Sequence, residues 1–258
     1  MLNRMWKGLS WLNPFLTGMK GLIPAAGIGT RMKPYTNAIP KELLPVDGVA
    51  VIEHVIEAFK LADITDITVV VGWKKNAILD YLGSGKRLGV NLTYVVQDER
   101  LGLANAILAG ENVINGSPFA IILGDNFFYP KTFLRELKKF HIDNKADVTL
   151  GVVDVEDTTR HGILEFKGDK VINVIEKPKP EVAPSHKGAA GIYVVTPELF
   201  DAIHHIKPGY NNEYQLGDAF KVLIDRGRKV IYKNIDGYHI DVGTPEDLKR
   251  ANRIFAQV

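Results

Sequence analysis

A glycine-rich stretch followed by fixed cations is the first feature of the sequence that could do chemistry. It runs from Ala25 to Val46 and reads AAGIGTRMKPYTNAIPKELLPV. A glycine loop after a strand can bring backbone N–H groups close to phosphate oxygens. Arg31 and Lys41 follow the glycines, and prolines keep the chain around them extended. The combination suits a triphosphate, whose charge must be neutralised without a covalent step.

Single positions in this stretch exclude two familiar phosphate-binding motifs. The dinucleotide fingerprint requires a third glycine where Met32 stands. The P-loop requires a lysine directly after its second glycine, whereas Gly29 is followed by Thr30 and Arg31. On its own residues, the stretch therefore indicates either a tight turn or a phosphate loop of another kind.

Two acids follow strand-like segments in a similar way. Asp125 ends the apolar run FAIILGD, and Asp241 follows YHI and precedes a helix start at Thr244. Ligands of an open parallel sheet gather at the carboxyl ends of its strands, and Mg²⁺ favours one or two carboxylates with phosphate oxygens. The two acids are candidates for one shared Mg²⁺ site. The alternative is an ordinary turn aspartate and a helix-entry aspartate.

Two further segments combine polar side chains with loop positions. Gln97 and Gly102 lie in VVQDERLGLANA, and a glutamine offers both a donor and an acceptor, enough to read a base edge. Glu176 and Lys177 lie in VIEKP, after an alternating strand. The alternatives are a loop glutamine, a helix-entry glycine and a solvated surface ion pair.

Alternating strands and helices must position these residues in the first two-thirds of the chain. Strands are predicted at Lys20–Pro24, Ile67–Gly72, Leu92–Gln97, Phe119–Asn126 and from Asp147. Helices are predicted at Val51–Ala62, Lys74–Leu82, Leu103–Val113 and Lys131–Asp143. This order predicts an α/β fold of three layers, in which helices flank a mostly parallel mixed sheet.

The pattern becomes richer in strands after Asp154. A hairpin is predicted around Gly168 and Asp169, followed by a strand in GAAGIYVVT and another in KVIYKNI. Helices are predicted at Pro197–His205, Glu213–Arg226 and Thr244–Ala256, the last with Thr244 as N-cap and Asp247 in a capping-box position. The region reads as a β-rich insertion within one domain, residues 19–258.

The composition excludes several classes of protein. The 258 residues carry a net charge of +2 from 32 basic and 30 acidic residues, which argues against a nucleic-acid binder. The absence of cysteine excludes disulfides, thiolate metal sites and a cysteine nucleophile, and fits a cytoplasmic location. No apolar run approaches the ~18–20 residues that span a bilayer. Residues 1–18, MLNRMWKGLSWLNPFLTG, are predicted to be a dispensable extension, with a surface-lying amphipathic segment as the alternative.

The stretch GIGTRMKPYTNAIPKELLPV resembles the signature of the sugar-1-phosphate nucleotidyltransferases, Gly-x-Gly-Thr-Arg-x-x-Pro-x-Thr-x-x-x-Pro-Lys-x-Leu-Leu-Pro. The most similar branch is the glucose-1-phosphate thymidylyltransferases in their short form without a C-terminal β-helix, with the uridylyltransferases near by. The resemblance runs from about Met19 to the end of the chain. It implies a Rossmann-like nucleotide-diphospho-sugar transferase fold whose insertion binds the sugar. It also implies Mg²⁺-dependent conversion of dTTP or UTP and a sugar 1-phosphate to a nucleotide sugar and pyrophosphate.

The resemblance also implies roles for individual residues. The catalytic residues would be Arg31, Lys41, Asp125 and Lys177. The nucleotide would be bound by Ala26, Gly27, Gly29, Thr30, Arg31, Gln97 and Gly102. The sugar would be bound by Gly162, Glu176, Lys177 and Glu213, and Mg²⁺ by Asp125 and Asp241. Tyr214 departs from the leucine or isoleucine that the family more often has after the matching acid, and Leu103 favours a pyrimidine nucleotide.

Two alternative functions share parts of this pattern. A GT-A-like glycosyltransferase would also have metal-binding acids, but would lack the loop carrying Arg31 and Lys41. A regulatory paralogue would bind a nucleotide sugar without turnover and would be expected to have lost one of these charged residues. The expected partners are a nucleoside triphosphate and a sugar 1-phosphate, without nucleic acid or firm membrane association. A homo-oligomer is compatible with the sequence.

Overall fold

The computed structural model of the protein describes residues 18–168 and 170–256. The predicted extension therefore lies outside the described residues except for Gly18, as does Asp169 of the predicted hairpin. The strands are β1 (Lys20–Ala25), β2 (Pro45–Val46), β3 (Val49–Ala50), β4 (Asp66–Val71), β5 (Asn91–Val96), β6 (Phe119–Ile122), β7 (Asn126–Tyr129), β8 (Val148–Asp154), β9 (Gly162–Lys167), β10 (Lys170–Glu176), β11 (Lys187–Val195), β12 (Val230–Asn234) and β13 (Tyr238–Asp241). The α-helices are α1 (Val51–Leu61), α2 (Lys75–Leu82), α3 (Leu103–Leu108), α4 (Glu111–Ile114), α5 (Phe133–Asp143), α6 (Glu198–His204), α7 (Leu216–Asp225) and α8 (Pro245–Phe255).

One mixed sheet forms the centre of the fold. Its strands follow the order β10-β9-β11-β6-β1-β4-β5, and β8 pairs with both β11 and β12. Strands β6, β1, β4 and β5 run parallel, whereas β11 is antiparallel to β6 and β8. Strands β9 and β10 form an antiparallel hairpin, which extends the sheet at one edge because β9 also pairs with β11. The predicted α/β class, mixed sheet and β-rich insertion are confirmed.

Helices cover both faces of this sheet, as the apolar runs predict. Leu22 of β1 packs in one core cluster with α3, α6 and α7, while its neighbour Ile23 packs in another with α1, α2 and α5. Successive side chains of a strand point to opposite faces, so a strand that is buried on both must be apolar throughout. Both residues have 0% exposure, and so do Val69 and Val70 of β4. The layers therefore follow directly from the sequence pattern.

Three predicted elements differ from the structure. The predicted helix over residues 103–113 is two helices, α3 and α4, which meet near Gly110, a poor helix former that packs directly against Leu22. The strand predicted to reach Asn126 ends at Ile122, and the chain turns before β7 begins. The helix predicted to start at Glu213 starts at Leu216. The last two differences place Asp125 and Glu213 in loops.

The start of α8 is fixed by the predicted N-cap. The backbone N–H of Asp247 donates to Oγ1 of Thr244 at 3.2 Å, and this hydroxyl in turn donates to the Asp247 carboxylate at 2.7 Å. Arg160 donates to the same carboxylate at 2.7 Å and so ties α8 to the segment before β9. Within the described part of the chain, no helix has both the length and the apolar character needed to cross a membrane.

Candidate active site

The glycine loop follows the carboxyl end of β1 and folds back toward Lys41. Gly29 has φ 69°, and a Cβ there would lie 2.8 Å from Cγ2 of Thr36, so only glycine fits. The Thr36 hydroxyl donates to the Gly29 carbonyl at 2.8 Å and holds the turn closed. A Cβ on Gly27, which is exposed, would be 3.8 Å from the Lys41 side chain. The loop is therefore a turn held by a hydrogen bond, in which Gly27 and Thr30 are exposed.

Lys41 makes an ion pair with Asp125, as a direct contact between Nζ and Oδ2. The side chains are only 18% and 10% exposed, respectively. Burial alone would lower the pKa of Lys41, but the surrounding carboxylates, Asp125 first, outweigh it and raise this pKa. Burial would likewise raise the pKa of Asp125, but Lys41 outweighs it and lowers this pKa. Both groups are therefore held in their charged forms.

Asp241 lies beside Asp125 because β13 pairs antiparallel with β7. In that ladder Asp241 is opposite Asn126, and the N–H of Val242 donates to the Asp125 carbonyl at 3.0 Å. Burial, together with the Asp125 carboxylate, raises the pKa of Asp241 to about 7. Arg31 is the nearest cation, with its Nη2 3.9 Å from Oδ2 of Asp241. The structure thus brings together the two acids and the two cations that the sequence singles out.

The paired carboxylates have the chemistry that a Mg²⁺ ion requires. Oδ1 of Asp241 is buried, and no hydrogen-bond donor of the described residues reaches it. A buried carboxylate oxygen without a donor is costly, and a cation would satisfy it. No group of three or more His, Cys, Asp or Glu side chains suited to a metal ion occurs within residues 18–168 and 170–256. Since Mg²⁺ keeps several waters and needs only one or two carboxylates, the two acids fit this ion.

Gln97 and Gly102, the residues predicted to read the base, are packed against neighbouring segments and do not line an open pocket. Gln97 follows β5 and is 8% exposed; its side-chain nitrogen donates to Asn105 at 2.7 Å and to the Gly102 carbonyl at 3.3 Å. Gly102 has φ 110°, and a Cβ there would be 2.8 Å from the backbone of Tyr214. The N–H of Tyr214 donates to the Leu101 carbonyl at 2.7 Å. The loop between β5 and α3 is therefore fixed against the segment that carries Glu213.

Three of the four predicted sugar-binding residues, Gly162, Glu176 and Lys177, lie on or directly after the hairpin β9–β10. Gly162 is opposite Glu176 in the ladder, and a Cβ on Gly162 would lie 3.3 Å from Oε2 of this glutamate. Lys177 has φ 47°, a conformation uncommon outside glycine, and its N–H donates to the His161 carbonyl at 3.0 Å. Its ammonium lies 3.0 Å from Oε1 of Glu176. The strained backbone turns the lysine side chain back beside the glutamate.

A cavity of about 190 Å³ lies between Arg31, Asp241 and the residues of the hairpin β9–β10. Six of the predicted residues line it: Arg31, Gly162, Glu176, Lys177, Glu213 and Asp241. The other predicted residues do not line it: Ala26, Gly27, Gly29, Thr30, Lys41, Asp125, Gln97 and Gly102. Leu103, directly after Gly102, does line it. The glycine loop follows the carboxyl end of β1, Gln97 follows that of β5, and Asp125 follows that of β6. Asp241 differs, because it ends β13, which lies outside the main sheet.

Sequence reasoning missed several residues of this site. Glu42 is 1% exposed beside Lys41, and burial raises its pKa to about 7. Arg160, His161 and His239 line the cavity, and burial lowers the pKa of His239 to about 4. Asn126 is 1% exposed and donates to the Ala190 carbonyl at 2.6 Å. In the sequence, the signal that could have found these residues is their position, one or two residues from a predicted site residue: Lys41, Gly162, Asp241 or Asp125.

A glycine loop, two cations and paired carboxylates at the carboxyl edge of an α/β sheet form an arrangement suited to phosphate groups and a divalent metal ion. Residues 20–258 match the family model for nucleotidyl transferases, and the chain belongs to this family. The resemblance seen in the sequence is thereby confirmed at the level of the family.

Three known proteins illustrate the relationship. The UTP–glucose-1-phosphate uridylyltransferase AglF of Haloferax volcanii is 35% identical over 238 residues, with 91% of this chain and 96% of that protein covered. A glucose-1-phosphate thymidylyltransferase of Streptomyces griseus is 32% identical, with 92% of this chain and 66% of that longer protein covered. The solved structure of UDP-glucose pyrophosphorylase complexed with UDP-glucose superposes with a TM-score of 0.85 at 29% identity, with 93% of this chain and 99% of that chain covered.

Proposed function

We propose that the protein transfers a nucleotidyl group from UTP or dTTP to a sugar 1-phosphate, with glucose 1-phosphate as the first candidate, and releases pyrophosphate. The observation that carries this proposal is the joining of Arg31 and Asp241 with Lys177, Glu176 and Glu213 in one cavity. A triphosphate at the loop and a sugar phosphate at the hairpin would then share one space. Relatives named for both nucleotides, and a solved relative bound to UDP-glucose, support the substrate classes.

The reaction needs positioning and charge neutralisation rather than a nucleophile from the protein. An oxygen of the sugar phosphate attacks the α-phosphorus in line, and the bond to the departing pyrophosphate breaks. Backbone N–H groups of Gly27, Gly29 and Thr30 would cradle the nucleotide with Ala26. Arg31 and Lys41 would neutralise the triphosphate and the leaving group, and Lys177 would orient the attacking phosphate. Arg31 and Lys41 would act on the charge that develops on the leaving group during the reaction.

Asp125 and Asp241 would hold Mg²⁺, which when bound would reduce the repulsion between the two anionic substrates. In the structure, however, Lys41 is paired with Asp125, and Arg31 lies 3.9 Å from Asp241. Both cations that we assign to the triphosphate are thus beside a carboxylate that we assign to the metal. We infer that the partners exchange on binding, so that both cations turn to phosphate oxygens. This exchange keeps the buried charges balanced in both states.

The test is pyrophosphate release from purified protein with UTP, dTTP, ATP and GTP, each combined with several sugar 1-phosphates. We expect the highest kcat/KM with UTP or dTTP, because a base pocket leaves its polar groups unpaired when the wrong base enters. The highest kcat/KM with ATP or GTP would contradict the base assignment to Gln97 and Gly102. A glycosyltransferase would release no pyrophosphate from any pair, and neither would a regulatory paralogue.

Lys177→Ala is expected to weaken use of the sugar phosphate more than use of the nucleotide. A charge-assisted contact to phosphate contributes about 1.5–3 kcal/mol, hence roughly ten- to a hundredfold in kcat/KM for the sugar phosphate. Steady-state kinetics with each substrate varied in turn would measure this difference. Lys187→Ala is the matched control, because Lys187 is also paired with a carboxylate, Asp154, but does not line the cavity. Equal effects on both substrates would return Lys177 to the solvated surface.

A further inference from the structure

Tyr210 is a large aromatic side chain that remains 47% exposed beside the sugar-binding residues. It opens the short turn Tyr210–Asn212, three residues before Glu213 in the chain. The centroid of its ring lies 5.5 Å from the ammonium nitrogen of Lys177, within the range of a cation–π interaction. Neither the sequence signature nor the assigned site explains an aromatic ring at this position.

The turn that carries Tyr210 is closed by several hydrogen bonds. The Tyr210 carbonyl accepts from the Gln215 side chain at 2.8 Å and from the backbone N–H of Glu213 at 3.2 Å. Asn211 and Asn212 both have left-handed φ values, 56° and 58°. Such conformations are costly and persist where the surroundings enforce them, commonly at ligand sites. These hydrogen bonds therefore fix the backbone position from which the Tyr210 side chain extends.

Lys177 is held from two sides as a result. Its ammonium lies 3.0 Å from Oε1 of Glu176, and the Tyr210 ring faces it from the other segment. A lysine side chain is otherwise free to sample many rotamers, and restricting it costs entropy when substrate binds. A ring that confines the ammonium beforehand removes part of this cost.

We propose that Tyr210 is a positioning residue for the sugar phosphate, which acts by bracing the ammonium of Lys177. The inference rests on the proposed function and deepens it at one subsite. It concerns the ring face and not the hydroxyl, because the face carries the negative end of the aromatic quadrupole. Phenylalanine at position 210 should therefore preserve the effect on Lys177, whereas an aliphatic side chain should abolish it.

The test compares Tyr210→Phe and Tyr210→Leu with the wild type. An exposed cation–π contact is worth about a two- to fivefold effect, so KM for the sugar phosphate should rise by this factor in Tyr210→Leu and stay unchanged in Tyr210→Phe. The nucleotide KM and kcat should be those of the wild type, since a contact made equally in ground and transition states changes KM alone. The nucleotide KM also reports whether each variant retains an intact fold. Tyr81→Leu is the control, because Tyr81 is 42% exposed and has the Arg87 guanidinium 5.5 Å from its ring.

A second background separates bracing from direct contact with the sugar. In Lys177→Met the ring has no ammonium to hold, so adding Tyr210→Leu should cause no further rise in the sugar-phosphate KM. The same rise in both backgrounds would mean that the ring contacts the sugar itself, and would overturn the proposal. A sugar-phosphate KM unchanged in Tyr210→Leu, or raised equally in Tyr210→Phe, would overturn it too. If the wild type released no pyrophosphate with any sugar phosphate, the proposed function would fail instead.

Discussion

Asp125→Asn is expected to reduce Mg²⁺-dependent turnover by about 10²–10³-fold, the loss typical of removing one preorganised electrostatic group. The substitution keeps the size and shape of the side chain but removes its charge. Asp125 is 7% exposed, contacts Lys41 and lies beside Asp241, so its charge would act both on the proposed metal ion and on the cation that we assign to the leaving group. Higher Mg²⁺ should restore activity only in part, because one carboxylate remains.

The competing interpretation of Asp125 is a turn aspartate that serves folding alone. It predicts a lower melting temperature, with the surviving folded fraction fully active. Melting temperature and turnover as a function of Mg²⁺ should therefore be measured on the same preparation. Asp66→Asn is the matched control, because Asp66 is exposed at the amino end of β4, the edge of the sheet away from the site. A stable and fully active Asp125→Asn protein would refute the metal assignment.

The elements that the sequence predicts well are those whose burial leaves a periodic pattern. Helix α1 is an example, because Val51, Ile52, Val55, Ile56 and Phe59 recur at helical spacing and are at most 1% exposed. The closeness of Asp125 and Asp241 was expected from two strand ends, but the structure achieves it differently. Strand β13 lies outside the main sheet and forms a two-stranded sheet with β7. Strand β7 is not predicted, because the sequence from Phe119 to Asn126 reads as one continuous strand. The pairing of short strands depends on tertiary register, which the local sequence does not record.

The remainder of the site depends on contacts between distant segments. Tyr214 docks beside Gly102 through backbone hydrogen bonds to its neighbours Leu101 and Ala104, more than a hundred positions earlier in the chain, and such bonds leave no side-chain signature. Glu42 looks like a surface glutamate in the sequence, yet its backbone turn after Pro40 buries it against Gly124. Charged residues are usually exposed, so a sequence argument assigns Glu42 to solvent by default. Only the assembled fold shows that a third carboxylate adjoins Lys41 and Asp125.

Lys41→Met is expected to have two opposite effects, a loss of turnover and a gain in metal affinity. Methionine keeps most of the aliphatic stem and removes the charge, so the triphosphate loses a cation that we assign to its leaving group. Turnover should fall by about 10³-fold, because this charge is buried and acts as the leaving group develops. In the structure, the same lysine is the partner of Asp125.

The gain in metal affinity follows from the ion pair between Lys41 and Asp125, which Mg²⁺ binding to Asp125 would have to break. A charge-assisted hydrogen bond is worth about 1.5–3 kcal/mol, so its removal should tighten Mg²⁺ binding without nucleotide by roughly ten- to a hundredfold. Calorimetric titration with Mg²⁺ alone measures this directly and does not depend on turnover. The double variant Lys41→Met/Asp125→Asn is the control and should lose the gain, because the released carboxylate is gone. If Lys41→Met binds Mg²⁺ no more tightly than the wild type, Lys41 does not compete with the metal for Asp125, and the exchange of partners on binding is wrong.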